Sequence, residues 1–300
     1  MCVANVGVFS GNVSKNIVIF GLGYVAEAVS KDLVNLGHNV YITSRNASFC
    51  KLDALKGYFT IGFDSPELPN IIESAHVVLS TVPPYKGVDP VLESYATRYI
   101  HSGDFEWVGY LSSTSVYGDH QGKWVDETSH CIPNYTNAEV ILLAEKKWLD
   151  AYLKYGVPVH IMRLSGIYGP GRNCLEQIKK GKDFTIVKKG HYFSRIHVSD
   201  ICQSIIASIK FPTPGEIYNI ADSEPASIDV VHQYAASILK LPELRTINFE
   251  DAVISEGMRN FFLSNKRVSN CKISEILNID WMYPNYRIGL LEGCLHALNN

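Results

Sequence analysis

Short apolar runs alternate with helix-like patterns through the first half of the chain. The first run, residues 16–20, is rich in β-branched residues and leads directly into a turn that contains two glycines. Four apolar residues then recur at spacings of four, four and three: Val25, Val29, Leu33 and Leu36. This period predicts one buried face of a helix. Gly37 is a stop signal for that helix, and residues 39–43 are predicted to form a second strand.

The same alternation continues along the chain. Further strands are predicted at 58–63, 76–81, 107–111, 158–163 and 217–220, and helices at 90–100 and 137–155. Strands and helices that alternate in this way favour a parallel sheet with helices on both faces. We therefore predict an α/β fold built on a doubly wound parallel sheet, with a smaller C-terminal lobe above the carboxyl ends of the strands.

The turn after the first strand reads Gly-x-Gly-x-x-Ala, at Gly21, Gly23 and Ala26. Gly21 allows the tight turn, Gly23 lets backbone N–H groups approach a pyrophosphate, and Ala26 keeps the helix close to the strand. Tyr24 and Val25 begin the helix, whose N-terminus would face the negative charge. The spacing predicts a dinucleotide site of the Rossmann type, with a purely structural βαβ turn as the alternative.

The end of the second strand indicates which dinucleotide binds. An acidic residue that would hold a ribose 2′-hydroxyl is missing there, whereas Ser44 and Arg45 can bind a 2′-phosphate. We therefore expect NADP(H), with NAD(H) and a solvated loop arginine as alternatives. Asp64 is expected to bind the adenine amino group or to cap the next turn. Thr81 and Val82, at the carboxyl end of the fourth predicted strand, should border the cofactor.

Composition narrows the class of protein. The chain has 300 residues, 46% of them apolar, and a net charge of −3, which argues against nucleic acid as a partner. Seven scattered cysteines without a Cys-x-x-Cys pair predict a reduced, cytoplasmic protein without a metal site. No apolar run has the length of a membrane span, so we expect no membrane partner. Residues 1–15 are predicted to be a leader, either an extra strand or disordered, and not a signal peptide.

Three blocks extend the pattern. Residues 111–118 read Leu-Ser-Ser-Thr-Ser-Val-Tyr-Gly, residues 163–171 read Arg-Leu-Ser-Gly-Ile-Tyr-Gly-Pro-Gly, and residues 195–201 contain a histidine. With the glycine turn, these blocks resemble the extended short-chain dehydrogenase/reductase superfamily and its NAD-dependent epimerase/dehydratase family. Residues 167–173 and 265–270 are most similar to the atypical, YeeZ-like bacterial branch. The resemblance runs through nearly the whole chain and implies a Rossmann fold and a small-molecule substrate.

The resemblance also implies catalytic residues. Ser113 matches the serine or threonine that hydrogen-bonds the substrate oxygen, with a strand-end cap as its alternative role. The family's Tyr-x-x-x-Lys pair does not carry over, because Asn137 and Ile141 stand at the two positions. Sliding the register by two residues places Tyr135 at the tyrosine position, with Glu139 four residues later. We expect the usual proton relay to be absent and take Tyr135 as a candidate replacement.

Three further residues are candidates for the missing acid or base, each with a structural alternative. Tyr117 could instead be a core residue. His120 could be a surface turn residue. Glu139 could be a solvated helix position.

Substrate-binding candidates follow the sixth predicted strand. Arg163 and Tyr168 should border the nicotinamide or the substrate mouth, although Arg163 paired with a structural carboxylate is an equal alternative. Many family members carry an arginine four residues before the histidine of the late block, where this chain has Phe193. Arg195 could still reach a substrate phosphate. One basic cluster could bind a diphosphate or be a solvated loop: Lys179, Lys180, Lys182, Lys188 and Lys189.

These observations predict a domain organisation. An NAD(P)-binding Rossmann core is expected at 16–163, and residues 196–221 are expected to return to it. The substrate-binding lobe is expected to comprise 164–195 and 222–300.

Two functions fit the sequence. The first is an NAD(P)-dependent epimerase, dehydratase or reductase, an oxidoreductase-like enzyme for a small carbonyl or sugar-nucleotide substrate. The alternative is a non-catalytic NADP(H)-binding redox sensor or regulatory module. A homodimer is an open expectation, since relatives often pair through the helices at 90–101 and 137–155.

Overall fold

Every apolar run predicted to be a strand forms one, and further short strands that the sequence did not predict lie between and after these runs. The computed structural model describes residues 14–47 and 50–296, so nearly all of the predicted leader lies outside the described residues. The strands are β1 Asn16–Phe20, β2 Asn39–Ser44, β3 Lys51–Asp53, β4 Tyr58–Gly62, β5 Val77–Ser80, β6 Trp107–Ser113, β7 Trp124–Val125, β8 Val159–Leu164, β9 Gly166–Tyr168, β10 Phe184–Val187, β11 Arg195–His197, β12 Ile217–Ile220, β13 Arg245–Asn248 and β14 Arg267–Val268. The α-helices are α1 Tyr24–Asn35, α2 Leu68–Glu73, α3 Pro90–Tyr95, α4 Thr136–Tyr155, α5 Cys174–Lys179, α6 Val198–Lys210, α7 Ile228–Ile238, α8 Glu256–Phe262, α9 Cys271–Ile276 and α10 Tyr286–His296.

Eight strands form one large sheet in the order β12-β8-β6-β5-β1-β2-β4-β3. Every neighbouring pair in it is parallel except β3 and β4, which are antiparallel. The predicted doubly wound parallel sheet is confirmed, whereas β3 is absent from the sequence prediction. The strand order reverses between β1 and β5, and such a switch point opens a crevice at the carboxyl ends of the strands.

Strand β1 lies at the centre of the sheet and is buried on both faces. Ile17 and Ile19 pack into the core cluster beneath α1 and α6, while Val18 and Phe20 pack into the cluster beneath α3 and α4. All four side chains are fully buried. The two-residue alternation of a strand explains why a continuous apolar run serves two separate cores.

Three small parallel sheets lie outside the large one: β9 with β11, β10 with β13, and β7 with β14. Helices α5, α7 and α10 contribute to a separate apolar cluster that includes Leu175, Val231 and Leu290. β12 pairs with β8 inside the large sheet, so the segment that contains α6 ends in that sheet. The domain boundaries themselves stay a prediction.

One predicted helix differs from the structure. Residues 90–100 are α-helical only through Tyr95, and residues 96–100 continue as a π-helix. The helix begins sharply because the Asp89 carboxylate accepts hydrogen bonds from the backbone N–H groups of Val91 and Leu92 at 2.9 and 3.0 Å. In the described part of the chain, no helix combines the length and the apolar character that crossing a membrane requires.

Candidate functional site

The turn between β1 and α1 requires glycine at its first position. Gly21 has a φ of +95°, and a Cβ there would lie 2.8 Å from Thr81 Oγ1 and 3.0 Å from Val82 Cγ2. Its backbone N–H donates to Thr43 Oγ1 at 2.9 Å. Any larger residue would therefore push the turn away from the end of β5.

Gly23, unlike Gly21, has free space beside its Cα atom. It is the N-cap of α1 and has no side chain to cap the helix, and a Cβ there would meet no atom of the described chain within 4 Å. The first N–H groups of a helix have no partner within the helix, so Tyr24 and Val25 begin α1 with backbone donors that face open space. This arrangement fits the pyrophosphate of a dinucleotide.

Thr81 fixes the turn from the neighbouring strand end. Its hydroxyl donates to the carbonyl oxygens of Phe20 and Gly21 at 2.9 and 3.2 Å. Val82 packs behind Gly21 and against the core. These two residues thus lie beside the predicted cradle, as expected for the carboxyl end of the strand next to β1.

The residues expected to select the cofactor lie at the ends of two adjacent strands. Ser44 ends β2 and is paired in register with Gly62 of β4, which places Arg45 and Asp64 just beyond neighbouring strand ends. The side chains of Arg45 and Asp64 are exposed. Ser44 Oγ accepts a hydrogen bond from the Asn46 backbone at 3.3 Å.

A cavity of about 460 Å³ extends from the α1 N-terminus across the carboxyl edge of the sheet. The Rossmann side of its lining includes residues from the glycine turn, the β5 and β6 ends and the start of α4: Gly23, Tyr24, Val25, Thr81, Ser113, Ser115, Tyr135 and Ile141. The opposite wall comes from later segments: Ser165, Arg172, Tyr192, Phe193, Phe261, Ser264, Lys266 and Val268. The cavity therefore joins the dinucleotide cradle to the two predicted catalytic residues.

Ser113 caps the element that follows its strand and also lies at the cavity. Its Oγ accepts a hydrogen bond from the Ser115 backbone at 3.1 Å and caps the 3₁₀-helix that follows β6, and it also lines the cavity. Sequence reasoning missed two other hydroxyls in the lining. The Oγ atoms of Ser115 and Ser165 are buried without a hydrogen-bond partner in the described part of the chain. Buried polar atoms of this kind lack the partner that such groups usually have.

The start of α4 presents Tyr135 and Ile141 to the cavity. Tyr135 is the N-cap of the helix and is half-buried. Asn137 and Glu139 are exposed and are not among the lining residues. The apolar Ile141 therefore occupies the cavity wall at the position where the resemblance would place a lysine.

Arg163 lies in a buried hydrogen-bond network and is not among the residues that line the cavity. Its Nε and Nη2 donate to the two carboxylate oxygens of Glu145 at 3.0 and 2.7 Å, and its Nη1 donates to the Tyr117 hydroxyl at 2.9 Å. Burial raises the pKa of Tyr117 to about 12. The expected substrate contact of Arg163 is thus replaced by its alternative, a structural carboxylate, because the ion pair uses the guanidinium. Tyr117 is a core residue.

His120 lies near this network but outside the cavity lining. Its Nε2 is 3.1 Å from the carbonyl oxygen of His130, and its ring meets the Tyr117 ring edge-on. Because His120 does not line the cavity that contains Ser113, its position fits the alternative role of a surface turn residue.

Lys266 is the buried cation of the cavity, and sequence reasoning missed it. In the sequence, the segment 265–270 is only a mark of resemblance, and the polar neighbours of Lys266, Asn265 and Arg267, give no signal that its side chain is buried. Lys266 is 7% exposed, and burial lowers its pKa to about 8, an effect that Asp119 partly offsets.

A second cavity, of about 660 Å³, adjoins the first and shares Gly166, Ile167, Arg172 and Phe261 with it. Its lining includes the predicted substrate residues Tyr168 and Arg195 and two lysines of the basic cluster, Lys180 and Lys182.

Two backbone carbonyl groups hold the guanidinium of Arg195 in place. Its Nη1 donates to the carbonyl oxygens of Phe193 and Ala226 at 3.1 and 2.8 Å. Burial raises the pKa of the nearby Asp222 to about 8, and the positive charge of Arg195 opposes that shift. Phe193 stacks on Phe261 with ring centroids 3.7 Å apart.

In the described part of the chain, no group of three or more His, Cys, Asp and Glu residues could hold a metal ion.

Comparison with known proteins agrees with this geometry. The model of the NAD dependent epimerase/dehydratase family matches residues 86–221, and one described as "NADP oxidoreductase coenzyme F420-dependent" matches residues 16–101. The fold and site define an NAD(P)-binding Rossmann protein. The chain belongs to the NAD-dependent epimerase/dehydratase family, within the extended short-chain dehydrogenase/reductase superfamily, as the sequence blocks predicted.

Three relatives illustrate the similarity. Protein YeeZ of Escherichia coli K12 is 26% identical over 292 residues, which cover 93% of this chain and 100% of YeeZ. The structure of a functionally unknown conserved protein from Silicibacter pomeroyi DSS is 37% identical, with a TM-score of 0.86 over 95% of this chain and 99% of that one. A dTDP-glucose 4,6-dehydratase from Bacillus anthracis, in complex with NAD, has a TM-score of 0.75 at 15% identity over 96% and 97% of the two chains. This last likeness shows the fold.

Proposed function

We propose that this protein is an NADP(H)-dependent enzyme of the epimerase, dehydratase or reductase type that acts on a small carbonyl or sugar-nucleotide substrate without a Tyr-x-x-x-Lys pair. The observation that carries the proposal is the single cavity that contains Gly23 at the α1 N-terminus together with Ser113 and Tyr135. A nicotinamide dinucleotide exchanges a hydride with a substrate carbon when it is bound.

Two features of the chain support NADP(H) over NAD(H). Arg45 is exposed just beyond β2, next to the Ser44 hydroxyl, where a guanidinium can form charge-assisted hydrogen bonds to a 2′-phosphate. The residues from 43 to 46 include no carboxylate that would hold a free 2′-hydroxyl.

The acid and base chemistry must differ from the family's usual relay. No tyrosine in the sequence is followed by a lysine four residues later, and Ile141 gives the cavity wall an apolar side chain. We assign Ser113 to hydrogen-bond the substrate oxygen and Tyr135 to act near it, because both line the cavity. Ser115 and Ser165 add two buried hydroxyls without partners in the described residues.

The second cavity supports binding of the remote part of a larger substrate. Lys180, Lys182 and Arg195 give it a positive lining, opposed by Glu176. Anionic groups such as a diphosphate would bind there by charge-assisted hydrogen bonds. Tyr168 forms its buried floor beside His197, with ring centroids 5.2 Å apart.

A second candidate function is non-catalytic NADP(H) binding in a redox sensor or regulatory module. Ile141 in the cavity wall and the exposed Asn137 favour it, because neither can move a proton. We further propose a cytoplasmic location, supported by six free cysteines in the described residues. A homodimer stays a prediction.

Turnover separates the two functions. The protein loaded with NADPH should oxidise it with members of a panel of small aldehydes, keto acids and sugar nucleotides, and Ser113→Ala should lower kcat about 100-fold because a positioned donor is lost. Ser102→Ala, which changes an exposed serine away from the cavity, is the control. Saturable NADPH binding without turnover of any panel member would favour the sensor. Unchanged turnover in Ser113→Ala would refute the role of Ser113.

A further inference from the structure

Lys266 has a buried charge without an acidic partner. Its Nζ donates to the Gly118 carbonyl oxygen at 3.1 Å and to Ser264 Oγ at 2.5 Å, and Ser264 Oγ donates in turn to the same carbonyl at 2.8 Å. Both partners are neutral. Among the ion pairs of the described residues, none includes Lys266. Taking an ammonium out of water without a counter-charge is unfavourable, so a ligand anion would stabilise it.

The segment around Lys266 is held rigidly. The Asn265 carbonyl oxygen accepts hydrogen bonds from the backbone N–H groups of His120 and Gly122, both at 3.0 Å. The Asn265 amide group accepts from the Tyr192 backbone and donates to the Gly190 carbonyl oxygen, both at 2.9 Å. Lys266 therefore extends from a fixed backbone and needs little reorganisation to bind a ligand.

The nearest acid is occupied elsewhere. The Asp119 carboxylate accepts hydrogen bonds from the backbone of Gln121 at 2.9 Å and of Asn265 at 3.3 Å, and its side chain is exposed. Its charge favours the protonated form of Lys266, and the His191 ring packs against Phe193 and Phe262. Asp119 thus leaves the ammonium available to a ligand in the cavity.

The cavity offers no competing negative charge. Among the described residues its lining contains no aspartate, glutamate or histidine, and the cations in it are Lys266 and the exposed Arg172. Val268, Phe193 and Phe261 add apolar and aromatic groups to the wall that also includes Lys266. A low-dielectric wall strengthens the attraction between an ammonium and a carboxylate or phosphate.

We propose that Lys266 is the anion-recognition residue of the cofactor cavity, so that the substrate carries a carboxylate or phosphate close to its reacting carbonyl carbon. This inference rests on the proposed function, because it assumes that the same cavity binds the substrate. It narrows the small carbonyl substrate to an anionic one. It also assigns that anion to the wall opposite Ser113.

The test compares two probes of equal size, oxamate and its neutral analogue oxamide, with the NADPH-loaded protein by isothermal titration calorimetry. Wild type should bind oxamate about tenfold more tightly than oxamide, the difference expected for one charge-assisted hydrogen bond. Lys266→Met should abolish this preference, and Lys266→Arg should keep most of it. Lys51→Met, at an exposed lysine of β3 away from the cavity, should behave like wild type.

The outcomes separate this inference from the proposed function. If wild type does not bind NADPH, the proposed function is contradicted. Normal NADPH binding with no preference for oxamate in wild type, or an unchanged preference in Lys266→Met, would overturn the role of Lys266. A Lys266→Met variant that loses NADPH affinity but keeps the preference would make Lys266 a cofactor contact instead. If Lys266→Met does not fold, wild type should still lose the preference at about pH 10.5, because burial lowers the pKa of Lys266 to about 8 and its ammonium is deprotonated there.

Discussion

Arg163 and Glu145 form a two-point ion pair between β8 and α4. The guanidinium donates to both carboxylate oxygens, at 3.0 and 2.7 Å, and the two side chains are 5% and 1% exposed. The pair fixes α4 against the sheet. This helix begins directly after Tyr135 and places Ile141 in the cavity wall. Arg163 therefore influences the site by positioning a helix and not by binding substrate.

Removing one partner should destabilise the fold strongly. In Arg163→Met, Glu145 would keep a buried charge without a cation, so we expect unfolding to become easier by about 3–5 kcal/mol. Urea unfolding measures the change. Lys154→Met breaks the exposed pair with Asp150 and should leave the urea midpoint close to that of wild type. Equal stability of the two variants would contradict the structural role of Arg163.

A methyl group at Gly23 should block the cofactor without harming the fold. A Cβ at Gly23 meets no atom of the described chain within 4 Å, but it would occupy the space in front of the α1 N-terminus. We expect Gly23→Ala to keep its melting temperature and to lose NADPH affinity by at least about tenfold, because the backbone donors can no longer be approached. Fluorescence titration measures the affinity.

Two other glycines serve as controls for this variant. Gly37 has a φ of +88° and open space around it, so Gly37→Ala should cost about 1 kcal/mol of stability and leave NADPH affinity unchanged. In Gly21→Ala the new methyl would meet Thr81 Oγ1, so both stability and binding should fall. Unchanged NADPH affinity in Gly23→Ala would refute the assignment of this turn as the cradle.

Arg45 should set the cofactor preference. In Arg45→Asp, a carboxylate would repel a 2′-phosphate and accept a hydrogen bond from a free 2′-hydroxyl, so the ratio of NADPH to NADH affinity should fall by at least about 100-fold. Lys31→Asp makes the same change of charge at an exposed position of α1 and should leave the ratio near its wild-type value. A similar ratio in both variants would show that Arg45 is a solvated loop residue.

Lys266 should make stability depend on pH. Burial lowers its pKa from the ordinary 10.5 to about 8, with Asp119 as a partial offset. Between these two values the unfolded chain holds more protons than the folded one, so the contribution of Lys266 to stability rises with pH across that window. Relative to Lys266→Met, wild type should gain about 3 kcal/mol from the low to the high end of the window.

Urea unfolding at several pH values across that window gives this difference, in which the titration of all other groups cancels. Parallel curves for wild type and Lys266→Met would mean that Lys266 keeps its ordinary pKa in the folded protein.

The large sheet could be predicted because its signals are local. Ile17 to Phe20 are buried on both faces, so their apolar run is continuous, and Gly21 has a conformation that glycine favours. β3 could not be predicted because it is a three-residue edge strand with one exposed apolar residue, Leu52, between two charged ones, which is too short to show an apolar period.

The candidate site could be predicted only in part because it depends on contacts between distant segments. Ser113 and Tyr135 follow from the motif and its spacing, and both line the cavity. Whether Arg163 binds substrate or Glu145 depends on how α4 packs on β8, and spacing alone left the two alternatives equal. Lys266 reaches the cavity through β14 pairing with β7, a contact between segments far apart in the chain.

Titration of wild type with NADPH and with NADH, followed by quenching of tryptophan fluorescence, tests the central claim most directly. The cradle at Gly23 and the position of Arg45 predict saturable binding of both, with NADPH at least about tenfold tighter. If neither NADPH nor NADH binds saturably, the assignment of the turn at Gly23 as a dinucleotide site is contradicted.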